Sequence, residues 1–287
     1  MADYQIVTDS GCDLPADLLE KLNLKLVPLT VLFRGENRED CVDDSIKELY
    51  AGLRAGEGAT TSAVNPDRWS RVMEPIVKDG QDVLVLAFSS GLSTTYQSAV
   101  IAAGELMEQY PGRKILVVDT LAASLGQGLL LWYACRKRDE GMRLEELHAW
   151  AESEKFHLCH WFTVDDLMYL KRGGRVSAAT AIVGTMLQIK PVLHVDDEGH
   201  LINVAKTRGR KASIEALAKK FGELGEGYCN DTVFISHGDC LEDAQTLASI
   251  LKEQYGVKEV YISYVGAVIG SHSGPGTIAL FFLGQHR

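Results

Sequence analysis

Val83-Leu84-Val85-Leu86-Ala87-Phe88, running directly into Ser89-Ser90-Gly91-Leu92-Ser93-Thr94, is the stretch that decides the fold. Its apolar part is too short for an independent helix and has the continuous valine- and leucine-rich character of a strand covered on both faces. The hydroxyl-rich turn after it leads into a segment of helical period over residues 94–109. Strand, turn and helix in that order is the repeating unit of an open, mostly parallel α/β sheet. Working outward, similar short runs stand at residues 4–8, 24–31 and 115–118, with helical stretches near 14–22, 43–53, 67–77 and 122–138.

The pattern changes after a helix near 144–155. A strand-like run at 156–164 is followed by strands expected near 201–204, 232–236, 259–265 and 278–282, separated by helices near 177–187, 213–223 and 241–255. The chain therefore reads as two α/β domains, 1–154 with an open parallel sheet and 155–287 with a more mixed one. No linker rich in Pro, Gly or Ser separates them. Two such domains in direct contact favour a ligand cleft between them.

Composition removes several classes of function. The 287 residues carry 29 basic and 39 acidic side chains, a formal charge of −10 that disfavours a nucleic-acid binder. No run approaches the roughly 18 apolar residues of a membrane helix, so no stable membrane insertion is expected. The first residues lack the basic start and apolar run of a secretory signal, and the six cysteines contain no CxxC pair. Both features suit a cytoplasmic protein with reduced thiols and leave zinc without its usual ligand spacing. Neither GxxxxGK[ST] nor GxGxxG occurs, so no nucleotide cofactor is expected.

Hydroxyls and carboxylates gather where strands end: Thr8-Asp9-Ser10, Ser89 to Thr94, and Asp119-Thr120, with Thr60-Thr61-Ser62 in an expected loop before another helix. Ligands of open α/β sheets bind beyond the carboxyl ends of the strands. Gly91 permits a tight turn, and Ser93 or Thr94 stands where a helix would be capped. Free amides at a helix start attract anions. Capping alone explains one hydroxyl; it does not explain four converging groups. Near the C-terminus, Gly270-Ser271-His272-Ser273-Gly274-Pro275-Gly276 brings backbone close to a partner, with His272 alone among small residues. A serine hydrolase built on Ser93, His272 and Asp9 or Asp119 is the rival reading, although the elbow pattern GxSxG is absent.

The ordered set of Thr8-Asp9-Ser10, Thr61-Ser62, Ser89-Ser90-Gly91-Leu92-Ser93 with Tyr96-Gln97-Ser98, Tyr169-Leu170-Lys171-Arg172-Gly173-Gly174-Arg175, Lys190-Pro191, Lys206-Thr207-Arg208-Gly209 and the C-terminal glycine motif resembles the DegV family over nearly the whole chain. The resemblance implies a bacterial two-domain protein that holds a long-chain fatty acid between its domains. It implies a binding subunit, not itself an enzyme, that presents the acid to a fatty acid kinase for conversion to an acyl phosphate. Carried over by residue, it places Thr61, Ser62 and Ser93 at the carboxylate and His272 near Ser93, fixing the hydroxyl network. Arg175, with Arg172 beside it, would dock the kinase. Two positions depart from the family: Ala63-Val64-Asn65-Pro66 stands where Gln-Pro is frequent, and Thr94 where glycine is usual.

Such a ligand suits these residues. Each buried methylene contributes about 0.8 kcal/mol, so a tail of about fifteen carbons supplies roughly 10 kcal/mol before ordering costs. Hydroxyls orient the head without a full ion pair and leave an oxygen accessible. Ile182, Val183, Met186, Leu187 and Ile189 form a candidate lining helix for the tail, with ordinary core as the alternative. The clusters Lys171/Arg172/Arg175 and Lys206/Arg208/Arg210/Lys211 are candidates for steering an acidic partner, or are simply solvated surface.

Overall fold

The run that opens the sequence reading forms β6 (Asp82–Ala87) in the interior of a four-stranded parallel sheet. The computed structural model describes residues 4–40, 45–176 and 188–287. Strands β1 (Tyr4–Asp9), β2 (Lys25–Val27), β6 and β7 (Ile115–Asp119) pair in the order β2-β1-β6-β7. The alternation of a strand sends Leu84 and Leu86 to one face and Val83, Val85 and Ala87 to the other, all fully buried. Seven helices accompany this half and its exit: α1 (Ala16–Lys21), α2 (Ser45–Arg54), α3 (Pro66–Lys78), α4 (Thr95–Gln109), α5 (Leu125–Asp139), α6 (Leu144–Glu154) and α7 (Met168–Arg172). One face of β6 joins Trp69 and Met73 of α3 and Ala99 and Ala102 of α4. The other joins Leu125, Leu129 and Leu130 of α5.

The expected single strand at 24–31 is two. The chain leaves the parallel sheet after Val27, turns at Pro28-Leu29, and re-enters as β3 (Thr30–Phe33) of a separate antiparallel sheet with β4 (Glu36–Glu39) and β5 (Ala59–Ser62). The Thr60-Thr61-Ser62 segment is therefore a strand, where a loop was expected. Its pairing with β3 explains why it is extended despite a polar sequence: Thr61 lies opposite Val31 and Ser62 opposite Thr30.

The C-terminal half is built on a six-stranded mixed sheet of β8 (Leu158–Thr163), β9 (Ile189–Val195), β10 (Leu201–Arg208), β11 (Thr232–His237), β12 (Glu259–Tyr264) and β13 (Ile278–Leu283), ordered β10-β9-β8-β13-β11-β12. Only the β11–β12 pair is parallel. Ile189 begins β9 and does not extend a tail-lining helix. Ile182, Val183, Met186 and Leu187 lie outside the described residues, as does Cys41. Of the described cysteines, Cys12, Cys135 and Cys159 are buried, and all are free. No helix among the described residues is long and apolar enough to cross a membrane.

Helix α5 joins the two halves. Over residues 125–135 its sequence is apolar nearly all round, and the structure buries that part between the parallel sheet and the inner face of the mixed sheet, beside Phe162, Phe234 and Phe281. Gly126 and Gly128 make this close approach possible. A Cβ at Gly126 would lie 2.1 Å from His160 Nε2, and one at Gly128 would lie 2.9 Å from Leu14 Cδ2.

Candidate functional site

In the parallel sheet, β1 has β2 on one side and β6 on the other, so the connections diverge between β1 and β6. That divergence opens a crevice at the carboxyl ends of the strands. The Thr8-Asp9-Ser10 and Asp119 motifs lie there, but as staples. Asp9 accepts the Phe88 N–H at 2.8 Å and the Gly11 N–H at 3.0 Å. Asp119 accepts the N–H groups of Ser90 and Leu121, each at 3.1 Å. Ser10 Oγ donates to Asp40 at 2.8 Å and accepts the Leu29 N–H at 2.9 Å. Burial raises the Asp9 carboxyl to about 7 against the pull of its two amide donors. These groups fix the turn after β6 in place, so neither Asp9 nor Asp119 is directed at His272.

Beyond the strand ends lies a cavity of about 450 Å³. Its apolar wall comes from both halves: Leu29, Phe88, Leu92 and Ala123 from the first, and Phe162, Leu170, Val195, Leu201, Val265, Val268, Ile269, Ala279 and Phe281 from the second. Polar groups enter this wall from Thr61, Ser62, Ser90, Ser93, Thr94, His272 and Arg175, among others. The three hydroxyl residues singled out from the sequence thus share one cavity with His272. Both halves contribute to its wall, residues before 155 as well as after it.

Within the cavity the hydroxyls form two linked pairs. His272 Nε2 lies 2.7 Å from Thr61 Oγ1. Ser93 Oγ lies 2.9 Å from Thr95 Oγ1 and accepts the Thr95 N–H at 3.2 Å, while Thr95 Oγ1 also accepts the Val64 N–H at 3.3 Å. His272 therefore holds Thr61, where the resemblance set it beside Ser93. The Ser93 turn is tied to the Thr61–Ser62 strand through Thr95. Burial lowers the His272 pKa to about 4, and the Arg175 charge adds to the same shift, so its imidazole is neutral at pH 7. A neutral ring can donate from Nε2 to Thr61 Oγ1, which frees the Thr61 proton for an acceptor in the cavity. The arrangement sets hydroxyl groups in one part of the cavity and apolar surface over much of the rest.

Two residues here take roles that the sequence reading did not assign, although Gly173 lies inside a quoted motif. Gly173 abuts the histidine: a Cβ there would fall 2.1 Å from His272 Nδ1. Thr95 carries the link between the two hydroxyl pairs, although it reads in sequence as the ordinary first residue of a helix.

The basic residues separate. Arg172 is exposed and stacks its guanidinium 4.6 Å from the centre of the Tyr169 ring. Arg175 is half-buried in the cavity wall and donates twice to the Leu92 carbonyl, from Nε at 3.2 Å and Nη2 at 3.0 Å. Arg210 is paired with Asp243 at 2.8 Å, whereas Lys211 is exposed, with Glu215 at 3.8 Å. Cys240 accepts a further contact from Arg210, and burial pushes its thiol up to about 12.

A family model described as an uncharacterised protein of the DegV family matches residues 3–285. A DegV domain-containing protein of Clostridium perfringens is 46% identical, over 100% of this chain and 99% of its own. Among solved structures, a DegV family protein from Thermus thermophilus described by its fatty acid binding superposes with a TM-score of 0.87 at 34% identity, covering 98% of this chain and 99% of that one. The Streptococcus pneumoniae fatty acid kinase B3 protein, loaded with linoleic acid, shares the fold with a TM-score of 0.85 at 22% identity, covering 99% of each chain. By sequence over its full described length and by architecture, this chain belongs to the DegV family.

Proposed function

We propose that this protein binds a long-chain fatty acid and presents its carboxylate to a kinase subunit for acyl phosphate formation, with no catalysis of its own. One observation carries the proposal: a cavity of about 450 Å³ with a largely apolar wall, in which Thr61, Ser62 and Ser93 share the lining with a neutral His272 that meets Thr61. Hydroxyl donors hold a carboxylate by charge-assisted hydrogen bonds without enclosing it in an ion pair. In this reading His272 Nε2–H donates to Thr61 Oγ1, Thr61 and Ser93 donate to one carboxylate oxygen or the other, and Ser62 completes the set. The apolar wall takes the tail. Binding of fatty acid by a relative from Thermus thermophilus supports the ligand class; the kinase partner is supported by the ordered family motifs. Arg172 and Arg175 are the proposed docking cations, and a cytoplasmic location and a division of the chain at 154/155 belong to the same reading.

Lipid extracted from the purified protein and analysed by mass spectrometry tests the ligand. Long-chain fatty acids at near one per chain are expected; their absence would sink the proposal. Ser93→Ala should weaken retention of added palmitate by roughly ten- to a hundredfold, the equivalent of one hydrogen bond to a charged group. Arg172→Ala should retain palmitate normally and lower its phosphorylation when the kinase subunit is supplied.

The hydrolase reading has less geometric support. Ser93 Oγ is engaged with Thr95, and His272 Nε2 is engaged with Thr61. Stoichiometric labelling of Ser93 by a fluorophosphonate would restore it.

A further inference from the structure

The hairpin joining β9 to β10 reaches across from the C-terminal half and closes on the turn that carries Ser93. Its tip is closed by hydrogen bonds of its own. Asp196 Oδ1 accepts the N–H groups of Glu198 at 3.1 Å and His200 at 2.7 Å, and the Gly199 N–H donates to the Asp196 carbonyl at 3.0 Å. Gly199 adopts φ +79°, a conformation that L side chains rarely enter. Its carbonyl accepts Ser89 Oγ at 3.0 Å, a bond between positions 110 apart in the chain.

The fit permits no added atom on either side. A Cβ on Gly199 would lie 2.2 Å from Ser89 Oγ, and one on Gly91 would lie 2.7 Å from the Glu198 carbonyl oxygen. Ser89 in turn anchors the head-group turn. Its Oγ accepts the Gly91 N–H at 3.1 Å, and its carbonyl accepts the N–H groups of Leu92 and Ser93, each at 3.1 Å. Val195 and Leu201, at the two roots of the hairpin tip, line the cavity itself. A continuous set of hydrogen bonds therefore runs from the hairpin tip through Ser89 to the backbone of Ser93.

We propose that this hairpin is a strap, with Ser89, Gly91 and Gly199 as positioning residues: it locks the Ser93 turn in the geometry that holds the carboxylate and sets how fast the acyl chain leaves. The inference rests on the fatty-acid reading above. The cavity wall is drawn from both halves, and the strap joins a part of each through a side-chain hydrogen bond seated in a glycine-tight contact. Loss of one such bond corresponds to about a two- to tenfold change in an equilibrium or rate.

The test measures dissociation of bound palmitate into excess albumin for the full-length protein and three variants. Ser89→Ala removes the bond to Gly199, and Gly199→Ala forces the tip away from Ser89. Both are expected to release palmitate about two- to tenfold faster than the parent. Gly256→Ala supplies the control, since Gly256 has φ +71° with no atom within 4 Å of its added Cβ, so it brings backbone strain without a strap. Its release rate is expected to stay within about twofold of the parent. Should Gly199→Ala not fold, Ser89→Ala alone decides. Parent-like release from the strap variants, or equal acceleration by Gly256→Ala, overturns the strap. Failure of the parent itself to hold palmitate would instead overturn the fatty-acid reading.

Discussion

His272 shows how one residue's role is set by what surrounds it. A histidine in a glycine-rich segment has no assigned partner in sequence; here its Nε2 meets Thr61, and the opposite edge of its ring rests on the bare Cα of Gly173. Gly173 has φ −72°, so alanine would enter without backbone strain and act by contact alone. Gly173→Ala should displace the ring and weaken palmitate retention by at least threefold, with little change in thermal midpoint; isothermal titration of delipidated protein against palmitate measures it. Acidity should act on the same ring. His272 and His237 are both held near 4 by burial, below the ordinary histidine value of 6.5. The unfolded chain thus takes up protons near 6.5 that the folded chain refuses until about 4. Stability from these groups is complete above pH 6.5 and is lost as pH falls from there toward 4. In His272→Gln, whose side-chain amide can still donate to Thr61, melting temperatures followed from pH 7 to pH 4 should fall less steeply than in the parent.

At the level of elements, the parallel sheet and its helices were legible because their signal is local. The run 83–88 is apolar at every position, and only burial on both faces satisfies it. The strand β5 was not legible, since Ala59-Thr60-Thr61-Ser62 has no apolar alternation, and its extension comes from pairing with β3, which is distant in sequence. β9 was hidden by Pro191 and by its neighbours. At the site, the hydroxyls could be gathered from motif order, but the His272–Thr61 pairing depends on the placement of one half against the other. Glycines in helices divide by the same criterion. Gly104 of α4 has no atom within 4 Å of an added Cβ, whereas Gly126 of α5 would meet His160 and Phe281 at 2.1 and 2.8 Å. Alanine gains up to about 1 kcal/mol over glycine in a helix interior, and overpacking a core costs about 1–3 kcal/mol. Gly104→Ala should therefore raise the urea midpoint of unfolding, and Gly126→Ala should lower it.

For the whole molecule, the chemistry of α5 bears on whether the chain's two halves are independent. Division at 154/155 follows the change in sheet type, yet one core cluster ignores it: Leu84, Leu86, Leu129 and Leu130 from before the division pack in the same cluster as Phe162, Phe234 and Phe281 from after it. Residues 1–154 alone would retain the parallel sheet but leave the outer side of α5 uncovered. That side includes Gly126, whose lack of a side chain suits it to lie against His160 and not against water. An apolar helix face without its covering sheet gives up a driving force of about 25 cal/mol for every Å² exposed, and a domain retains only about 5–15 kcal/mol in all. The fragment 1–154 should thus keep far-UV helical signal while losing the fixed near-UV signal of Trp69, Trp132 and Trp150, and should melt without a sharp transition. The full chain should melt in one transition, moved upward as a whole when palmitate is added, because the cavity wall is drawn from both halves. A sharp, ligand-independent transition in the fragment would show instead that α5 finds its cover within the first half.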